Sequence, residues 1–299
     1  MDVLALLSEI WTALRESDLR LFLIAVLFYY FTLLISPIKL KVILWSLGQD
    51  VSIKFLYKLS IIAVFVNNLT PMARYGGEPT KIALLKSEGG VPLGIATTAV
   101  ITEKAMEAIP FFGFLIYAMT VIGLKFSRYV LAVSFLFIVL ALFFIIFRRR
   151  LLEYALKAWG HRIPGDTLAE YDKALLMIKK KWHYNIVVAI LTILSIIFLG
   201  LRIAIIAASL GIYLSWAAIA YVTVIYIILG TLGVTPGGVG ILDGGLVAAF
   251  ISMGIPASTS AAIVILDRAI TYVSTTIVGL ILASHYGGLK LLKTLKESK

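Results

Sequence analysis

The sequence predicts an all-α integral membrane protein, on three observations. Hydrophobic residues fill 61% of the 299 positions and charged residues only 14%, against roughly 45–50% and about 25% in soluble domains. Apolar runs are spread from residue 19 to residue 284, several of them near the ~20 residues a helix needs to cross hydrocarbon. The longest polar stretch, residues 148–184, is too short for an ordinary soluble domain. The chain therefore reads as a single transmembrane domain over residues 1–299. The absence of cysteine removes disulfides, thiolate chemistry and Cys-based metal sites. The formal charge of +11 raises the question of nucleic acid. The basic residues sit where a membrane protein places them, so no nucleic-acid partner is expected.

Residues 1–18 carry Asp2, Glu9, Glu16 and Asp18 and lack a basic n-region and a small-residue cleavage site, so they are not expected to be a secretory signal. The runs 19–36, 129–147 and 185–210, uninterrupted or nearly so, predict full spans. The runs 93–119 and 257–285 are as long but hold charges near their middles, which predicts spans with functional interiors. The runs 53–70 and 215–234 end in Thr-Pro, then Gly-rich turns, then the short apolar stretches 79–85 and 241–253, which cannot cross alone.

Lys and Arg set the expected sides. Residues 148–181 hold nine, the tail after His285 four (Lys290, Lys293, Lys296, Lys299), and residues 38–58 four (Lys39, Lys41, Lys54, Lys58). These segments are expected to face the cytoplasm, the C-terminus included. The connections 211–215 and 254–256 hold none, and 123–128 only Lys125 and Arg128; these are expected outside. The expected architecture is six full transmembrane helices plus two opposed re-entrant helical hairpins in a multi-pass protein of the cell membrane.

An offset of 165 lays Thr70-Pro71 on Thr235-Pro236, Glu78 on Asp243, Ala83 on Ala248, Ser87 on Ser252 and Gly89 on Gly254; after one deletion Glu103-Lys104 falls on Asp267-Arg268. Agreement of the rare polar residues makes this a repeat, and the assigned sides make it inverted. One copy covers about residues 19–122 and the other about 184–286, joined by a linking span and basic segment at about 129–183. Inverted repeats with broken helices near the midplane mark transporters. An ordinary extramembrane loop is the plain alternative for each Gly-rich turn; the pairing of the two favours breaks that line one polar cavity.

The first turn, from Asn67 and Asn68 through Pro71, Arg74, Gly76 and Gly77 to Glu78 and Lys81, reads as a helix end, a flexible turn and a new helix at Pro79 capped by Gly77 or Glu78. Arg74, Lys81 and the free N–H groups of that helix start form a candidate anion or phosphate site. Snorkelling to headgroups is the competing reading for Arg74 and Lys81. The second turn holds Pro236, Gly237, Gly238 and Gly240, with Asp243 as its single charge; it matches neither a Walker loop nor a dinucleotide fingerprint. Asp243 is expected to cap the half-helix or pair with a cation of the other repeat, and Gly244 and Gly245 to serve close helix packing.

Glu103 and Glu107 lie one turn apart on one helix face, with Lys104 beside them. Such charges cost roughly 2.5–3.5 kcal/mol each at bilayer depth and must face protein or water. Asp267 and Arg268 are the matching pair of the last span. They stand as substrate-binding candidates or as an ion-pair network joining Glu103 or Glu107 to Arg268 and Asp267 to Lys104 or Arg74. Arg202, near the end of its span, is expected to snorkel as readily as to serve a site. His161, His183 and His285 are far apart in the sequence, so neither a metal site nor a His-based triad is expected. Residues 148–181 suit an amphipathic helix on anionic lipid, or ordinary topology determination.

The motifs Asn68-Leu69-Thr70-Pro71 leading to Arg74-Tyr75-Gly76-Gly77-Glu78-Pro79-Thr80-Lys81, and Thr235-Pro236-Gly237-Gly238-Val239-Gly240 leading to Asp243, resemble the family named for the transmembrane region of lysylphosphatidylglycerol synthase. That family includes the flippase domain of bacterial multiple peptide resistance factors and stand-alone relatives. The resemblance covers nearly the whole chain and implies lipid translocation, with Arg74 and Glu78 at polar positions of the first motif and Asp243 where the second commonly has Glu. Lys81 departs from a frequent Arg. No soluble aminoacyltransferase domain is present, so aminoacyl-lipid synthesis is not expected of this chain.

The leading expectation is a flippase that is not an enzyme and needs no cofactor, moving a phosphate-bearing aminoacyl-, glyco- or polyprenyl-lipid headgroup through a central polar cavity. Its partners are membrane lipids with anionic headgroups. Secondary transport of a small soluble anion is the alternative, and a lipid-phosphate transferase with Glu103 or Asp267 as general base ranks last.

Overall fold

The computed structural model describes residues 3–70, 76–121, 166–232 and 235–285. The described residues form helices and turns and contain no strand. Helix α1 (Val3–Arg15) leads to Asp18, whose carboxylate accepts the backbone N–H of Arg20 at 2.8 Å and so caps α2 (Leu19–Thr32). After Leu33 and Leu34 the chain resumes as α3 (Ile35–Ser46). Pro37 explains that break, because it has no N–H for the carbonyl four residues back, that of Leu33. Then follow α4 (Ile53–Leu69), α5 (Gly77–Ser87), α6 (Leu93–Val121), α7 (Asp166–Lys180), α8 (Trp182–Ser209) and α9 (Trp216–Leu232). A 3₁₀ turn at Pro236–Gly238 precedes α10 (Ile241–Ser252) and α11 (Ala257–Arg268); a π-helical stretch, Ala269–Ser274, joins α11 to α12 (Thr275–His285).

Among the described residues three segments are long and apolar enough to cross a membrane: Leu19–Ser46, Trp182–Ser209 and Ala257–His285. Helix α6 has 29 residues and carries Glu103, Lys104 and Glu107 within it. By contrast, α5 and α10 have 11 and 12 residues, about 17–18 Å at 1.5 Å per residue, well short of the ~30 Å of hydrocarbon. Helix starts at 53, 77 and 93 recur at 216, 241 and 257, and the matching ends recur likewise, at offsets of 163 to 165. The repeat read from rare polar residues thus has a counterpart in helix lengths. The expected span 129–147, the turn residues Pro71 and Arg74, and the C-terminal lysines lie outside the described residues.

The chain gathers into two compact units. The first comprises Met1–Ile38, Ser52–Lys81 and Ser195–Lys299, the second Lys39–Val51 and Ile82–Leu194. In the first unit, Ala25 and Tyr29 of α2, Ile206 of α8, Val222 of α9, Leu242 and Phe250 of α10, Ile263 of α11 and Ile270 share one buried core. Helix α4 lies along α12, and the closest approach is at Gly279, where a Cβ would come within 2.3 Å of Phe65 Cβ and 3.2 Å of the Ile61 carbonyl oxygen. Small residues at such crossings let helices approach where no hydrophobic effect drives them together. Leu23, Leu27 and Phe31 of α2 and Ile277, Leu280 and Ile281 of α12 are exposed, as lipid-facing residues are.

In the second unit α7 packs on α6. Gly94 Nα–H donates to Glu170 Oε2 at 3.1 Å, and a Cβ at Gly94 would stand 2.5 Å from the Thr167 carbonyl oxygen. The turn after α3 is closed by Asp50, which accepts from Lys41 Nζ at 2.9 Å and Trp45 Nε1 at 3.0 Å. Those two bonds hold the Asp50 carboxyl below its ordinary pKa.

Candidate functional site

The first unit brings the second Gly-rich turn, the end of α4 and the acid-base dipeptide of α11 together. Gly237, Gly238 and Gly240 all have positive φ, at +61°, +74° and +88°, which side chains resist and glycine accepts. Gly237 also lies against the Tyr272 ring, where a Cβ would come within 2.3 Å of Cε2, and the Asn68 carbonyl oxygen would be 3.4 Å away. Tyr272 Oη donates to that same Asn68 carbonyl at 3.3 Å, while Asn68 Nδ2 donates to Thr276 Oγ1 at 3.0 Å. The helix end of the first motif therefore meets the turn of the second.

Arg268 holds the turn in place. Its Nε is paired with Asp243 Oδ1, its Nη1 donates to the Gly237 carbonyl at 3.0 Å and its Nη2 to the Gly238 carbonyl at 3.4 Å. Asp243 Oδ2 accepts the Gly240 N–H at 2.8 Å, which satisfies an orphan donor at the start of α10 and adds negative charge where the helix dipole favours it. Asp243 thus both caps and pairs, as expected, but its cation comes from the same repeat. The Arg268 and Asp243 side chains are 14% and 27% exposed.

The adjacent Asp267 turns toward α8. Its Oδ1 lies 2.9 Å from Arg202 Nη2, with side-chain exposures of 4% and 7%. The approach is off the hydrogen-bond axis, so the attraction is that of charge on charge. The Arg202 guanidinium also lies 5.3 Å from the Tyr29 ring centroid and 5.5 Å from that of Tyr226, a cation–π setting that compensates for lost water. The expectation that Arg202 snorkels is corrected: an anion and two rings draw it inward. Neighbouring residues of α11 thus grip two different elements, and the π-helical stretch begins at the very next residue.

At the first turn, Gly77 N–H donates to Asn67 Oδ1 at 2.7 Å, so Asn67 rather than Glu78 supplies the oxygen at the start of α5. The helix begins at Gly77, two residues before the expected Pro79. A Cβ at Gly77 would stand 2.5 Å from the Ala63 carbonyl oxygen, and one at Gly76 would stand 2.2 Å from Thr70 Oγ1. Both glycines therefore serve close approach of the turn to α4. Lys81 is buried at 6% exposure, which corrects the reading that it reaches out to headgroups. Of the adjacent glycines in α10, Gly245 packs on Leu229, whereas Gly244 faces open space and plays no packing part.

In the second unit Glu107 accepts from Lys39 Nζ at 2.8 Å and from Lys104 Nζ at 3.1 Å. Glu103 is buried at 1% exposure. Lys39, expected in a cytoplasmic loop, is in α3 and 3% exposed. Among the described residues Asp267 pairs with Arg202, Arg268 with Asp243 and Glu107 with Lys39 and Lys104, which differs from the network reading of Glu107 with Arg268 and Asp267 with Lys104; Arg74, its other member, lies outside the described residues. Sequence reasoning missed Lys39, Asn67, Tyr29, Tyr226 and Tyr272. Only Lys39 carried a signal, since Glu107 inside a span requires a cation. Among the described residues no group of His, Asp and Glu could hold a metal ion.

Residues 3–279 match the family described as the lysylphosphatidylglycerol synthase TM region. The chain belongs to this family. The matched stretch runs from α1 into α12 and takes in both Gly-rich turns and the ion pairs of Glu107, Asp243 and Asp267. It is similar to a UPF0104 membrane protein of Methanocaldococcus jannaschii, 28% identical over 81% of this chain and 77% of that one. A UPF0104 membrane protein of Methanothermobacter thermautotrophicus is 26% identical over 94% of this chain and 89% of its own length. One from Pyrococcus horikoshii is 26% identical over 90% and 88%. Family membership and the apolar spans make this a membrane protein.

Proposed function

We propose that this protein is a lipid flippase that carries a phosphate-bearing headgroup past two opposed re-entrant hairpins while the acyl or prenyl tails stay in lipid. The observation that carries the reading is the Arg268 clamp. One guanidinium in a membrane helix holds a three-glycine turn through Asp243 and two backbone carbonyls, and that turn rests on the broken end of α4 at Asn68. Broken backbone at membrane depth is tolerated only inside protein or beside a wet cavity. A phosphate, with more acceptor oxygens than Asp243 offers, competes for Arg268 and releases the turn, which couples headgroup binding to hairpin movement. Arg74, Lys81 and the start of α5 hold the phosphate in the first hairpin; Glu78, Glu103, Lys104, Glu107 and Asp267 balance charge or meet amino and sugar groups. The reading assigns no covalent step to the chain.

Repeated helix bounds support a repeat, with α4–α5 and α9–α10 as the re-entrant arms, and the Lys and Arg distribution supports its inversion. In this reading the full crossings are Leu19–Ser46, α6, residues 129–147, α8 and Ala257–His285, one fewer than the six expected. The Gly94–Glu170 contact supports one shared side for the basic helix α7 and the start of α6, both assigned to the cytoplasm. In vesicles with a fluorescent phospholipid, the protein is expected to speed the exposure of inner-leaflet headgroups to a membrane-impermeant reductant. Arg74→Ala and Arg268→Gln should each abolish the acceleration. Rates equal to those of protein-free vesicles would end the proposal.

A further inference from the structure

We propose that the outward face of α7 is a docking surface for an anionic lipid leaflet, a role independent of any headgroup translocation. The inward face of the helix is already occupied: Tyr171, Ala174 and Ile178 are buried, and Glu170 is bonded to Gly94. The outward face carries Lys173, Lys179 and Lys180, all exposed, around Leu176 at 66% exposure. An apolar side chain set among lysines on a helix otherwise packed against protein is the arrangement that lies in a headgroup layer.

The junction with α8 fixes the depth of that face. Only Lys181 separates α7 from Trp182, which is 64% exposed and opens a membrane-spanning helix; tryptophan at such a position sits at headgroup level. Asn185 Nδ2 donates to the Ile178 carbonyl at 3.2 Å, tying the end of α7 to the first turn of α8. Of the nearby carboxylates, Glu170 is turned inward to Gly94 and Asp172 is half-buried on the same face as the lysines, so three exposed lysines stand against one carboxylate and the face presented to the bilayer is net cationic. Charge complementarity therefore selects an anionic leaflet, and the exposed Leu176 favours a bilayer over an acidic peptide or nucleic acid.

The chain contains no cysteine, so Leu176→Cys gives a unique thiol for a polarity-sensitive dye. Full-length protein is reconstituted in phosphatidylcholine alone and in phosphatidylcholine with phosphatidylglycerol. With the anionic lipid the dye should shift to the blue and lose at least about half of its quenching by a water-soluble quencher, and high salt should reverse this. Lys173→Gln, Lys179→Gln and Lys180→Gln together should restore the quenching seen in phosphatidylcholine. Because lysines also bias insertion, a thiol at Tyr213, itself 84% exposed, reports orientation in the same background. Equal quenching in both bilayers overturns the proposal. So does a shift that survives the triple substitution in correctly oriented protein, or one that arises only when an acidic protein or RNA is added.

Discussion

At the residue scale the two ion pairs of α11 differ in what they are for. Arg202 and Asp267 are almost wholly buried, so removing one partner strands a charge without water. Arg202→Gln should lower stability by about 3–5 kcal/mol, whereas Arg202→Met with Asp267→Leu should recover most of it; chemical unfolding in detergent measures both. Asp243 and Arg268 are partly open, and their separation should cost only about 1 kcal/mol while abolishing headgroup movement. Equal effects of the two pairs on both readouts would erase the distinction between fixed staple and releasable clamp. The depressed Asp50 carboxyl gives a third, pH-dependent case. Its folded-state pKa is below the unfolded value, so its contribution is present above the ordinary carboxylate range and fades as pH falls through the folded value. Asp50 is exposed, so this contribution is small: Asp50→Asn should lower the melting temperature slightly at neutral pH and leave it unchanged at a pH where the carboxyl is protonated. Sequence reasoning marked Asp243, Asp267 and Arg268 because charge is rare in an apolar chain. It could not name their partners, since which helices lie side by side is decided by packing.

At the element scale, both helix breaks were legible because Thr-Pro followed by glycine forbids continuation. The start of α5 was not, because the oxygen at its N-terminus comes from Asn67, ten residues back on another helix. Helix α3 was hidden for a different reason. Lys39 and Lys41 read as loop charges, yet α3 buries one against Glu107 and turns the other to Asp50. Helix α1 shows apolar Leu4, Leu7 and Trp11 on one exposed face, a helical periodicity set among the acidic residues of 1–18. Glycines of similar sequence context separate cleanly once neighbours are known. Gly279→Ala should destabilise by about 1–3 kcal/mol, because Phe65 Cβ and the Ile61 backbone cannot move aside cheaply. Gly244→Ala, in open space within α10, should stabilise by about 0.5–1 kcal/mol through helix propensity alone. Thermal unfolding of the two variants in one detergent decides both.

At the scale of the whole molecule, the repeat is read from residues that an apolar chain uses sparingly, and helix bounds recur at offsets of 163 to 165. The Lys and Arg count predicts which way each copy faces, and this makes the proposed inversion directly testable. Ser52 stands just before α4 and Ser215 just before α9, equivalent places in the two copies, and both are exposed. In a chain without cysteine, Ser52→Cys and Ser215→Cys give one thiol each. If the copies are inverted, a membrane-impermeant maleimide added to intact cells should label the thiol at 215 and leave that at 52 unlabelled until the cells are opened. A parallel repeat puts both on one side, and so does a chain in which the Gly-rich segments cross fully instead of turning back. Labelling of both thiols, or of neither, in intact cells would therefore remove the opposed hairpins. The flippase would go with them, because two breaks opening to the same face offer a headgroup no second side to reach.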